Sequence, residues 1–120
     1  MSKKTIVLGA STNPSRYSYR AVERLKNKQH EVIPVGIKKG AIEGIDIQNG
    51  TPDIANVDTI TLYLNPSRQE QYYDYILGLN PKRVIFNPGT ENPVFVNLLK
   101  ANNIETEIAC TLVLLNIGAY

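Results

Sequence analysis

The residues of this chain best suited to hold a charged guest follow its first apolar run: Gly9-Ala10-Ser11-Thr12-Asn13-Pro14-Ser15-Arg16-Tyr17. Thr5-Ile6-Val7-Leu8 reads as a buried strand, the chain turns on Gly9, and a helix begins near Ser18 after a short polar loop. A strand that breaks at Gly and feeds a helix aims backbone N–H groups and the positive end of the helix dipole at one spot. An anion belongs there, usually a phosphate. Ser11, Thr12, Asn13 and Arg16 concentrate side-chain donors at this helix start, and Tyr17 and Tyr19 flank it as candidate walls.

A dinucleotide fingerprint needs G-x-G-x-x-G after the first strand and an acidic residue at the end of the second. Of that pattern only Gly9 is present, and the second strand ends in Pro34-Val35-Gly36 without a carboxylate. Lys38 and Lys39 follow instead. Two ammonium groups suit an extra phosphate on the ribose better than a free diol. That favours coenzyme A, whose adenosine carries a 3′-phosphate, or NADP. A solvated turn accounts for the two lysines equally well.

Three loops pair Asn with Pro: Asn13-Pro14, Asn65-Pro66 and Asn87-Pro88. Each Pro stiffens a turn, and each Asn can bond local backbone or a ligand. Taken singly, each pair reads as a strand-ending turn.

Catalytic candidates are few. His30, the single histidine, stands where the first helix ends and reads as a C-terminal cap. Cys110 opens an apolar segment and reads as a structural thiol; delivered to the crevice mouth, it could meet a ligand thiol and form a mixed disulfide. Glu43 and Glu91 have no evident carboxylate partner, and no metal-ligand spacing is present.

The elements that must position these groups follow from apolar spacing. Strands are expected at Thr5–Leu8, Glu31–Val35, Thr59–Leu64, Arg83–Phe86 and Glu105–Ile108, the first without in/out alternation, as suits a strand covered on both faces. Helices are expected at Ser18–Lys28, Ser67–Leu79 and Asn92–Asn102, with a short one from Thr111. Between the second and third strands, Ala41–Glu43 and Ile45–Ile47 suit a small hairpin around Gly44, followed by a turn at Pro52–Ala55. This alternation predicts a Rossmann-like, doubly wound, parallel five-stranded α/β sheet of order 3-2-1-4-5. In such a sheet the ligand lies beyond the strand C-termini where the order reverses. With that order, Ala10–Tyr17 and Asn87–Thr90 meet there, and Gly36–Lys39 and Asn65–Arg68 widen the crevice.

A chain of 120 residues with 42% hydrophobic and 20% charged residues fits one domain with one core. A net charge of +2 gives no case for nucleic acid or a membrane surface. One cysteine excludes an internal disulfide framework. The start, Met1-Ser2-Lys3-Lys4, leads into the first strand without an apolar signal core, so a cytoplasmic domain is expected.

Gly9-Ala10-Ser11 with Asn13-Pro14, Arg16 and Ser18-Tyr19, then Val32-Ile33-Pro34-Val35, Ile42-Glu43-Gly44 and Cys110, resemble the small stand-alone CoA-binding domain proteins. That family is similar to the CoA-binding domain of succinyl-CoA synthetase alpha chains. The resemblance covers nearly the whole chain. It implies CoA or an acyl-CoA held through its ADP moiety, by a module without catalytic machinery of its own. The pyrophosphate would sit on loop residues Gly9, Ala10, Ser11, Thr12, Asn13, Arg16 and Tyr17. Adenine would lie near Pro34, Val35 and Gly36, with Lys38 at the 3′-phosphate. Tyr63, Leu64 and Asn65 would line the other side, with Arg68 reaching a phosphate and Asn87, Pro88 and Gly89 closing the crevice. The family commonly shows Val-Asn-Pro-Lys after the second strand, where this chain has Val35-Gly36-Ile37-Lys38. Two other classes of function remain open: an NADP-dependent enzyme or a lobe of one, and a regulatory or structural protein whose cleft is vestigial. Exposed helix faces leave room for a homodimer or another protein partner.

Overall fold

A computed structural model describes residues 2–120. Strands β1 (Thr5–Leu8), β2 (Val32–Val35), β5 (Thr59–Leu62), β6 (Arg83–Phe86) and β7 (Glu105–Ile108) form one all-parallel sheet, and β3 (Ala41–Ile42) and β4 (Ile45–Asp46) form an antiparallel hairpin. The α/β class, the five parallel strands and the hairpin are as the sequence predicts.

Every residue of β1, β2, β5 and β6 is buried, because helices cover both faces. On one face Ile6, Leu8, Ile60, Leu62, Val84 and Phe86 pack against α3 (Tyr73–Leu79) and α4 (Pro93–Ala101), through Ile76, Phe95 and Leu99. On the other face Val7 and Val32 meet α1 (Tyr17–Asn27) and α5 (Thr111–Asn116), through Val22, Leu25 and Leu115. The edge strand β7 is largely uncovered.

The strand order is β2-β1-β5-β6-β7, or 2-1-3-4-5 when the strands of the main sheet are numbered along the chain. Thr59–Leu62 therefore lies against β1, whereas the sequence reading placed it outside β2. The reason lies in the hairpin segment. Gln48 forms a parallel bridge to Val35, with Gln48 N–H on the Pro34 carbonyl and Gly36 N–H on the Gln48 carbonyl. This bridge takes the free edge of β2, so β5 pairs at the other side of β1. Counted as a third strand, the bridge restores the Rossmann sequence 3-2-1-4-5, with β7 as a sixth member.

The expected Ser67–Leu79 helix is broken into α2 (Pro66–Gln69), a 3-10 turn at Glu70–Tyr72, and α3. Gln69 is fully buried; its amide donates to the Leu64 and Thr90 carbonyls and accepts from Asn92 Nδ2. The first turn is thereby tied to the loop after β6, and the chain tightens before resuming a helix.

Candidate functional site

The register aligns Leu8 with Val35 and with Leu62, so the loops after β1, β2 and β5 leave the sheet side by side. From β1 the chain runs outward to β2, and from β5 it runs the other way to β6. The order therefore reverses between β1 and β5, and the crevice of such sheets belongs there. Its two walls are the Gly9–Arg16 loop and Tyr63–Asn65. They touch: a Cβ on Gly9, whose φ is +97°, would lie 3.1 Å from Leu64 Cδ2 and from the Tyr63 carbonyl. Asn87–Thr90 sits one strand further out and is not the facing loop the sequence order suggested.

The anion loop divides its amides between the protein and solvent. Gly9 and Ala10 N–H both donate to the Val35 carbonyl at 2.9 Å. Asn13 N–H donates to Ser11 Oγ, and Asn13 Oδ1 accepts from Ser15 N and Oγ. The amides of Ser11 and Thr12, and those of Tyr17, Ser18 and Tyr19 in the first turn of α1, meet no protein acceptor among the described residues. Arg16, the residue before the helix, supplies no side-chain cap. By contrast α2 and α4 are each capped by an asparagine: Asn65 accepts from Arg68 N–H and Asn92 from Phe95 N–H. The five unpaired amides point to Ser11, Thr12 and the helix start, beyond Gly9, as the place for negative charge. Tyr17 and Arg16 are exposed, and the Arg20 guanidinium lies over the Tyr17 ring at 5.6 Å.

The loop after β2 forms the adjoining rim. Pro34, Val35 and Gly36 are buried, and Val35 belongs to the core, so they brace the crevice from behind. A Cβ on Gly36 would lie 2.4 Å from the Ala10 carbonyl oxygen, and one on Gly40 would lie 2.5 Å from Thr12 Cγ2. The two loops are interlocked through these glycines, and Gly36 leaves no room for a side chain. Beyond it Ile37, Lys38 and Lys39 are exposed, and neither lysine forms an ion pair among the described residues. Ile37, 76% exposed, is an apolar surface at the site that the sequence reading missed. Nothing in the residue type alone marks it.

Several expected ligand contacts are occupied by the protein. Asn87 is buried: Nδ2 donates to Thr61 Oγ1 at 2.6 Å and to the Leu62 carbonyl at 2.9 Å, and Oδ1 accepts from Thr111 N–H at 2.8 Å. It brackets β5, β6 and the start of α5. Pro88 and Gly89 are exposed in the turn that follows, where Gly89 N–H donates to Glu91. Tyr63 packs against the α1 face, and its hydroxyl is buried with no hydrogen-bond partner among the described residues; burial pushes its pKa up, so the phenol stays protonated. Arg68 is exposed beside Asn65.

The remaining candidates lie off the crevice. His30 caps α1 through its backbone, with N–H on the Leu25 carbonyl and Gln29 at φ 65°, while its ring Nδ1 accepts from Lys3 N–H. Glu43 does gain a carboxylate neighbour: its closeness to Glu23 of α1 raises the Glu23 pKa on a solvent-exposed face. Cys110 is half-buried and directly precedes α5. A depression of about 550 Å³, lined by residues including Lys4, Asp58 and Lys82, lies at the opposite end of the sheet. No helix among the described residues is long and apolar enough to cross a membrane.

A doubly wound parallel sheet with an open helix start at its switch point defines the Rossmann-like nucleotide-binding class. Residues 3–116 match the model of the CoA binding domain, and the chain belongs to that family. The chain is also similar to an uncharacterised protein of known crystal structure, with 54% identity over 100% of this chain and 99% of that one and a TM-score of 0.98. A Thermus thermophilus protein shares the fold at 23% identity, with a TM-score of 0.86 over 99% of this chain and 91% of its own. A conserved hypothetical protein from Pyrococcus furiosus, 26% identical, matches over 88% of this chain and 91% of its own with a TM-score of 0.78. No curated protein matches.

Proposed function

We propose that this chain binds coenzyme A or an acyl-CoA through the ADP moiety, as a binding module without chemistry of its own. The diphosphate rests on the amides of Ser11 and Thr12 and on the first turn of α1, with Arg16 beside it. The ribose phosphate faces Lys38 and Lys39, and Tyr63–Asn65 form the opposite wall. The observation that carries this reading is the set of unpaired amides at Ser11, Thr12 and Tyr17–Tyr19, beside a rim bearing two free lysines and no carboxylate. A vestigial cleft would have those donors occupied by the protein itself.

Isothermal titration with CoA, dephospho-CoA, ADP and NADP tests it. CoA is expected to bind most tightly. No heat from CoA up to millimolar concentration removes the proposal, and tighter binding of NADP than of CoA replaces it with the nicotinamide reading.

A further inference from the structure

The stretch between β2 and β5, where such folds carry a crossover helix, forms a clamp on the site. The turn Gly36–Gly40 is held from one side only by residues 47–49. Ile47 N–H donates to the Gly40 carbonyl at 2.8 Å, and Gln48 bridges Val35 through both its backbone groups. Asn49 then reaches back with its side chain: Nδ2 donates to the Gly36 carbonyl at 2.7 Å and to the Lys38 carbonyl at 3.2 Å. From the other side, Gly36 and Gly40 rest on Ala10 and Thr12 of the anion loop. The backbone carrying Lys38 is thus fixed at both ends and at its middle, while its side chain remains free.

We infer that Asn49 is a positioning residue that sets selectivity for a phosphorylated ribose, acting through Lys38 and Lys39. This rests on the proposed placement of the ribose phosphate at those lysines. An exposed lysine gains little from an anion when its own backbone must first be ordered, since ordering entropy offsets the attraction. A backbone already held by two side-chain hydrogen bonds removes that cost for Lys38. Asn49 itself does not touch the ligand. Its effect is therefore confined to the phosphate that the lysines face and leaves the diphosphate on α1 unaltered.

The test measures the ratio of CoA to dephospho-CoA affinity by titration calorimetry, in the full chain. With NADP and NAD as a second ligand pair, it distinguishes a 3′- from a 2′-phosphate. The wild-type ratio is expected to be about tenfold in favour of CoA, as two partly screened charge contacts allow. Asn49→Ala is expected to reduce it to about threefold with dephospho-CoA affinity unchanged, and to change nothing further when added to Lys38→Ala/Lys39→Ala. An equal loss for both ligands would make Asn49 merely structural, and an undiminished ratio would overturn the inference. If wild-type protein binds both ligands equally, the lysine placement itself fails. If it binds neither, the CoA reading fails.

Discussion

Replacing Gly36 by Ala tests the interlock between the two loops of the site. The added Cβ would stand 2.4 Å from the Ala10 carbonyl oxygen and 3.3 Å from both the Ala10 carbonyl carbon and Ile47 Cγ2. Ordinary carbon–oxygen contact is about 3.2 Å or more, so a backbone group must retreat by about 0.8 Å. Ala10 cannot retreat alone, because its N–H and that of Gly9 are both bonded to the Val35 carbonyl, one residue before the substitution. Overpacking of this kind costs about 1–3 kcal/mol, and weakening the shared pair of hydrogen bonds places the change at the upper end, about 2–3 kcal/mol. For a chain of 120 residues the unfolding entropy is about 0.25 kcal/mol/K, so Tm should fall by roughly 8–12 °C. Thermal unfolding by circular dichroism measures the fall, and CoA titration of the folded variant should show weakened binding, because the anion loop has moved. A variant melting within 2 °C of wild type with unaltered CoA affinity would refute the interlock.

Gly78→Ala should do the opposite, since a Cβ there meets nothing within 4 Å in α3; helix propensity predicts a rise in Tm of about 2–4 °C, read in the same melting experiment. Asn87→Ala removes three hydrogen bonds from a buried bracket and should lower stability by about 2–4 kcal/mol in urea unfolding; a loss below about 0.5 kcal/mol would return Asn87 to the list of ligand contacts. His30 is held neutral by burial and by the charge on Lys3, with its pKa below the ordinary 6.5. Its contribution is thus complete above that value and declines as the pH falls through it, because the unfolded chain binds the proton more readily. Tm measured from pH 7.5 to 5.5 should drop more steeply for wild type than for His30→Gln, and parallel slopes would exclude the linkage.

How much of this was legible in the residues differs by element. Thr5-Ile6-Val7-Leu8-Gly9 declares a buried strand and its turn locally, through β-branched apolar side chains and a position that needs positive φ. The polar loop before α1 likewise shows side-chain donors gathered at a helix start, in Ser11, Thr12, Asn13 and Arg16; that the helix starts one residue earlier than expected and that Arg16 leaves it without a side-chain cap is seen only in the structure. The strand, its turn and the gathered donors are short-range properties, decided by each residue's own dihedral preferences and donors. The position of Thr59–Leu62 is different in kind: its composition suits either edge available to it, and only the Gln48 bridge on β2 sends it to β1 and moves the switch point with it. Asn87 and Asn49 were equally beyond local reading. Both are asparagines in turn-rich stretches, yet one is consumed in a buried bracket and the other clamps the rim of the crevice. Spacing along the chain therefore determined which strands, helices and donors exist. Which of those donors stayed free for a guest was decided by contacts between segments distant in sequence, because a hydrogen-bonding group buried on folding takes whatever partner the packing brings to it.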